Sequence, residues 1–387
     1  MTPTLRFSEF AGAWKPKHGD DAFKSRRQRA KEGLPLYSVT MDQGMVRRDS
    51  LDREFASNAP DEANLRVFKD DHVYNMMRMW QGAVGRAPED CMVSPAYVVL
   101  QPKPGTDPAF FDHWFKRRRS IYLMWAYSYG LTSDRLRLYA RDFGRVPMAL
   151  PKSDEQRKIA DFLGVVDERI KLLQRRRDAL GRYKTGMTQR LFDQSLRFTR
   201  DDGTAFPDWE ESPFALLAER VPEKFDPQVS SEQPLTIELE NIESGTGMIW
   251  GEAGLGDQSS LKSKFQSGDV LFGKLRPYLR KFWQANTDGI CSTEIWVLRG
   301  KAALSDFLFY LVQTERFIRV ASQSSGSKMP RADWSIVGRE TYRTPHPDEQ
   351  HKIADALGAL DDKIAAVSSQ IKHMQTFKKG LLQQMFV

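Results

Sequence analysis

The chain is poor in cysteine, with two residues in 387. That excludes a disulfide scaffold and a zinc site built on thiolates, and it makes a reducing cytoplasm the expected compartment. No run approaches the roughly 18 apolar residues that a membrane span needs. The opening MTPTLRFSEF lacks the basic-then-apolar pattern of a secretory signal. The six histidines form neither an HExxH motif nor an i,i+4 ligand pair, so no metal is expected. There is no GxxxxGK[ST] loop to cradle phosphates; Gly326-Ser327-Lys328 lacks the upstream glycine, which argues against an ATPase. Phe10-Ala11-Gly12 matches a methyl-donor loop only trivially, and no Asn-Pro-Pro-aromatic motif accompanies it. Asp348, Asp361 and Lys363 imitate the carboxylate-and-lysine set of a nuclease. The other copy of a repeat described below has Arg169 at the lysine position in the same helical pattern, so helix surface is the better reading. No nucleophile stands beside a base. No catalytic residue is therefore expected.

What is present is an ordinary globular composition, 40% hydrophobic and 28% charged, too apolar for a disordered chain. The length predicts two to three domains. A net charge of +7 favours a polyanionic partner, though weakly. The organising feature is a repeat. PKSDEQRKIADFLGVVDERI, from Pro151 to Ile170, returns as PHPDEQHKIADALGALDDKI, from Pro345 to Ile364. The similarity continues without a gap through Lys184 with Lys378, Gly186 with Gly380 and Phe192 with Phe386, about 16 identities in 43 positions. Fainter echoes precede each copy. Leu5-Arg6-Phe7 leads to Trp14, and Leu196-Arg197-Phe198 to Trp209; MVSPAYVVL, from Met92, resembles ICSTEIWVL, from Ile290. The chain reads as two half-molecules in tandem, each a variable region of about 150 residues followed by a similar helix.

The helices carry a heptad seam. In the first it is Ile159, Leu163, Val166, Ile170, Leu173 and Leu180, interrupted at Arg177 and Lys184; in the second it is Ile353, Leu357, Leu360, Ile364, Val367 and Ile371, interrupted at Lys378. Apolar residues at this spacing over more than four heptads are the signature of a coiled coil. Ser153 with Gln156 predicts a capping box, and Pro347 suits a first-turn position. Helices of about 36 residues would be roughly 55 Å long. The two seams most economically bury each other as an intramolecular pair; an antiparallel pair would place the variable regions at opposite ends of a rod.

The variable regions read as α+β. PLYSVT (Pro35 to Thr40) and PLTIELENI (Pro234 to Ile242) are strand-like, and Ser267 to Trp283 reads as a strand, a turn at Gly273 or Pro277, and then basic residues. Asp306 to Ser322 is predicted as one amphipathic helix, matched by Phe110 to Tyr127. Lys15 to Lys31 is basic, with no clear strand, and reads as a loop that contacts DNA or as a partly disordered segment. Basic and aromatic residues interleave in the loops. Lys274, Arg276, Tyr278, Arg280 and Lys281 cluster in one, with Ser325, Lys328 and Arg331 in a second. The first half offers Arg78, Gln81 and Arg86, then Tyr129, Thr132, Ser133 and Arg135. Lysine and arginine neutralise phosphates, and arginine, glutamine and serine can read base edges, so these are the candidate DNA contacts.

On these motifs the chain resembles the DNA-specificity subunit of type I restriction-modification systems. The DEQRKIADFLG and DEQHKIADALG pair, GDVLFGKLRPYLRKF, DGICSTEIWVL and the LRF…W openings carry the resemblance over essentially the full length. It implies an α+β fold of two target-recognition domains, residues 1–150 and 196–344, held apart by antiparallel coiled-coil helices, residues 151–195 and 345–387, with a pseudo-two-fold internal repeat. It implies a non-catalytic subunit whose domains each read half of a split, asymmetric DNA site. The helices would set the spacing and dock two methyltransferase subunits. Restriction subunits would join through those. No cofactor would be bound directly: S-adenosylmethionine belongs to the methyltransferase, ATP and magnesium to the restriction subunit. The alternatives are an orphan or decoy subunit, and an enzyme with an unrecognised site. Where the second half has KLRPYLRK the first has MMRMWQGAVGR, as expected if the halves read different sequences.

Overall fold

The computed structural model describes residues 1–50, 61–229, 234–251, 260–323 and 329–387. They fall into two compact units. The first comprises residues 1–174 and 369–387, the second residues 175–368. The division runs through both long helices, Ser153–Phe192 and Pro347–Gln384, so each unit holds the beginning of one and the end of the other.

The first unit has two four-stranded sheets. One is antiparallel throughout, in the order Phe23–Arg26, Tyr97–Pro102, His72–Asn75, Val84–Arg86. The other is mixed, in the order Gly44–Arg47, Leu36–Thr40, Cys91–Val93, Leu65–Val67, with the middle pair parallel. The second unit repeats this plan. Its antiparallel sheet runs Ala218–Arg220, Ile295–Gly300, Val270–Gly273, Phe282–Gln284. Its mixed sheet runs Lys224–Phe225, Lys262–Phe265, Gly289–Ser292, Thr236–Ile237, with its parallel pair at the edge rather than in the middle. Each unit also has a two-stranded ribbon leading into its long helix: Lys15–His18 with Pro147–Leu150, and Glu210–Pro213 with Thr341–Thr344. The duplication thus extends through the regions where sequence similarity is faint.

The helix seams are buried where their unit's core receives them. In the first unit Ile159, Leu163, Val166 and Ile170 join Leu381, Met385 and Phe386 around Trp14, Phe110 and Trp114. In the second Ile353, Leu357 and Leu360 join Leu191 around Trp209, Phe214 and Phe307. In both, the start of one helix packs with the end of the other, which is antiparallel pairing. Leu173, Val367 and Ile371 are buried as well, whereas Leu180 and Ile364 are half-buried. The seam interruptions have partners. Lys184 donates to Asp361 at 2.6 Å in the second unit, and Lys378 to Asp167 at 2.5 Å in the first. Tyr310 adds a hydrogen bond to Asp361, while His113 stands 3.8 Å from Asp167.

The repeated Asp-Glu-Gln signature holds each unit to its helix. Glu155 accepts from Arg6 Nε and Nη2 (2.7 and 2.8 Å) and from Trp14 Nε1. Glu349, fully buried, accepts from Arg197 and Trp209 in the same way. This is what links the Leu-Arg-Phe…Trp openings to the helix repeats. Gln156 accepts from Asp107 N and donates to Gly105 O and Pro151 O; Gln350 does likewise with Leu304, Ala302 and Pro345. The amide clamps the loop before the short helices and is spent there, so it forms no capping box with Ser153.

Three local expectations are corrected. The helix expected over Asp306 to Ser322 is two, Ser305–Leu311 and Glu315–Ala321, because Thr314 caps the second by accepting from Phe317 N. Its counterpart breaks at the same place, into Pro108–Trp114 and Arg118–Ala126. Lys15 to Lys31 is not a loop throughout: Lys15–His18 and Phe23–Arg26 are strands, too short to carry a pattern in sequence.

Candidate nucleic-acid interface

The antiparallel sheet of the second unit turns between Val270–Gly273 and Phe282–Gln284. The turn holds Lys274 to Lys281 and closes with Gly273 N donating to Lys281 O. Arg276 and Arg280 both adopt the left-handed backbone region, at φ 52° and 51°, flanking a single helical turn at Pro277–Leu279. Such conformations are uncommon for residues other than glycine. A second loop is stitched to this one: Ala332 N donates to Lys274 O and Arg276 N to Pro330 O.

The first unit builds the same device. Its turn, between His72–Asn75 and Val84–Arg86, carries Met79–Gln81 as one helical turn and closes with Asn75 N donating to Ala83 O. The loop after its helix Arg118–Ala126 is stitched to the turn by Leu138 N donating to Met76 O. Residues about 50 apart in sequence are thereby brought to one surface in each unit, with different side chains and a different backbone path, since the left-handed residue of the first turn is Gly82.

The candidate contacts divide by whether their charge is free. In the second unit Lys274 is half-exposed and Arg276 and Tyr278 are exposed, none with an ion pair among the described residues. The other three cations are engaged. Lys281 donates to Leu239 O at 2.6 Å, Arg280 is paired with Glu315, and Arg331 lies 3.0 Å from Glu294. Lys281 is thus a strut of the turn, not a free phosphate ligand, while Arg280 and Arg331 would have to exchange a carboxylate for phosphate. Ser325 and Lys328 lie outside the described residues.

In the first unit Arg78 and Gln81 are exposed and touch each other at 3.4 Å. Tyr129, Thr132 and Arg135 are exposed on the second loop, and the side chain of Ser133 lies outside the described residues. Arg86 is set apart from them. It bridges Asp70 and Asp112 at 2.8 and 2.9 Å on the wall of a cleft of about 750 Å³, which also has His72, His113 and Asp167 on its lining. Its charge is satisfied there. Burial, and then the nearby Lys378, push the His113 imidazole down to about 4, so it is neutral at physiological pH. Burial pushes both thiols, Cys91 and Cys291, up to about 12, so neither is a nucleophile.

Sequence reasoning passed over Tyr122 and Trp125, exposed beside the first unit's turn; the signal was two large aromatics three apart on the polar face of an amphipathic helix. Among the described residues, no group of three or more histidine, cysteine, aspartate or glutamate side chains is placed to hold a metal, and no helix is long and apolar enough to cross a membrane.

Two solved structures align with nearly the whole chain. A chain from a study of complex assembly and conformational transition of the type I restriction-modification system superposes with a TM-score of 0.57 at 13% identity, covering 98% of this chain and 99% of its own. The S subunit of a type I restriction-modification system from M. genitalium gives 0.57 at 16%, covering 100% and 99%. The chain has the fold of a type I specificity subunit. Curated relatives agree. It is 29% identical over 155 residues to the EcoDI specificity subunit of Escherichia coli, and 22% identical over 200 residues to the HindI specificity subunit of Haemophilus influenzae. Those stretches cover 39% and 46% of this chain, and only 35% and 41% of the relatives' own lengths. A third, the MjaVIII specificity subunit of Methanocaldococcus jannaschii, is 31% identical over 101 residues, 25% of this chain and 23% of its own. No protein-family model matches.

Proposed function

We propose that this chain is the DNA-specificity subunit of a type I restriction-modification complex and is itself non-catalytic. The observation that carries the reading is the duplicated turn-and-loop device. A turn between the same two sheet strands, stitched to a following loop, occurs once in each unit with unlike polar and basic side chains: Arg78, Gln81 and Tyr129 in one, Lys274, Arg276 and Tyr278 in the other. Two unlike readers on one chain suit a split, non-palindromic site, because the symmetry that imposes palindromes is absent. Free arginine and lysine supply phosphate neutralisation, and arginine and glutamine supply donors and acceptors for base edges.

The long helices are the expected seat of two methyltransferase subunits. Phe162, Val165 and Leu172 are exposed on the first, away from the buried seam, and suit an amphipathic partner helix. Restriction subunits would join through the methyltransferases. S-adenosylmethionine would be held by the methyltransferase subunits and ATP with magnesium by the restriction subunit, in the cytoplasm. The test is reconstitution. The chain, co-purified with its methyltransferase subunits, should select one bipartite sequence from a randomised duplex library, and selection of none would reject the reading.

A further inference from the structure

One surface of the first unit has a chemistry that its counterpart lacks. Tyr122 and Trp125 stand one turn apart on the helix Arg118–Ala126, 60% and 47% exposed, with their rings 5.7 Å apart and inclined by 35°. The helix packs on the Met79–Gln81 turn, where Ile121 lies against Gly82. It runs directly into the loop that Leu138 N pins to Met76 O. The aromatic pair therefore borders both loops of the proposed reading device. The same helix carries exposed Arg118 and Arg119, and the turn and loop carry exposed Arg78 and Arg135, with no carboxylate partner for any of them among the described residues.

The matching helix of the second unit, Glu315–Ala321, starts at the same point after an identically placed break and is shorter. Arg319 stands there where Tyr122 stands here, and Ser322 where Trp125 stands. Two large aromatics left in water cost free energy unless something covers them. The unpaired arginines on the same helix, turn and loop select a polyanionic cover, and the apolar feature that a DNA major groove offers is the C5 methyl of thymine.

We propose that Tyr122 and Trp125 are specificity-determining residues that contact thymine methyl groups in the half-site read by the first unit. The proposal rests on the specificity-subunit reading above. It requires at least one thymine in the first unit's half-site.

The test uses the complex with its methyltransferase subunits, bound to its selected duplex with thymines replaced one at a time by uracil, which lacks only the methyl. Half-sites are assigned with Lys274→Ala, which acts on the second unit. In the wild type, uracil at one or two positions of the first half-site should weaken binding about fourfold each, the value of one buried methyl. Uracil elsewhere in the first half-site should have no effect. The variant carrying Tyr122→Arg and Trp125→Ser, the second unit's own residues, should bind about tenfold more weakly and be indifferent to uracil at those positions. Tyr122→Phe should keep the uracil effect, which separates contact from damage to the helix.

A half-site without thymine, or uracil effects that persist in the double variant, would overturn the proposal. Loss of methyltransferase assembly with unchanged affinity per assembled complex would also overturn it, making the pair a protein interface. Failure of the wild type to select any split site would instead overturn the functional reading itself.

Discussion

Arg197→Met isolates the clasp between the second unit and its long helix. Glu349 has no solvent exposure and accepts from Arg197 Nε at 3.1 Å, Arg197 Nη2 at 2.8 Å and Trp209 Nε1 at 3.1 Å. Removing the guanidinium strands a buried carboxylate with a single indole donor. Breaking a buried pair in this way costs about 3–5 kcal/mol. Arg197 is itself 24% exposed, which places the expected loss near the lower end, about 3 kcal/mol. Hydrogen exchange read by mass spectrometry is the assay, because it resolves the two units. The most protected amides of the second unit should exchange about 100-fold faster, with a smaller change in the first. Replacing both partners, Arg197→Met with Glu349→Leu, should recover most of the loss, since a well-packed apolar pair is often as stable as a buried ion pair. A single-variant loss below about 1 kcal/mol, or a double variant worse than the single, would refute the claim that the carboxylate depends on Arg197.

Other outcomes follow from the same structure. Arg276→Gly relieves a left-handed backbone at φ 52° while deleting a free cation, so stability should hold or rise while DNA affinity falls and the salt slope flattens by about one unit if the contact is phosphate. Thermal melts and salt titrations separate the two effects, and unchanged affinity would remove Arg276 from the interface. Ile371→Lys should impair folding and methyltransferase assembly more than Ile364→Lys, because Ile371 is buried and Ile364 half-buried; equal effects in co-purification would contradict the seam geometry. His113 gives a pH dependence. Its folded-state value is depressed to about 4 against an ordinary 6.5, so the unfolded chain takes up the proton first as pH falls. Stability is therefore full above about pH 6.5 and declines toward pH 4, by about 2 kcal/mol at pH 5. His113→Gln should remove that slope in urea melts between pH 7 and 5, and an unchanged slope would exonerate the imidazole.

The long helices and the tandem plan were legible because a heptad seam and a gapless repeat are one-dimensional patterns. The helix break before Thr314 was not, since apolar spacing runs straight through Tyr310, Leu311 and Phe317, and a cap is a three-dimensional fact. The lysines interrupting the seam were visible, but their partners were not. The available signal was that Asp167 and Asp361, like Lys184 and Lys378, are identical across the repeat. Charge alone could not separate Arg276, which is free, from Arg86 or Arg331, which are bound to carboxylates. The loops' basic composition was legible, whereas the membership of the surface was not, because Asp70 from a turn and Asp112 from a helix reach Arg86, and Glu294 from a turn reaches Arg331, only in the folded chain.

The central claim is that two unlike readers on one chain direct modification of one split DNA sequence. A genome-wide adenine-methylation map of the source strain, with the gene intact and deleted, tests it most directly. The account predicts that deletion erases methylation at one bipartite, asymmetric motif and leaves the rest untouched. An unchanged map, or loss of a continuous palindromic motif, would contradict it.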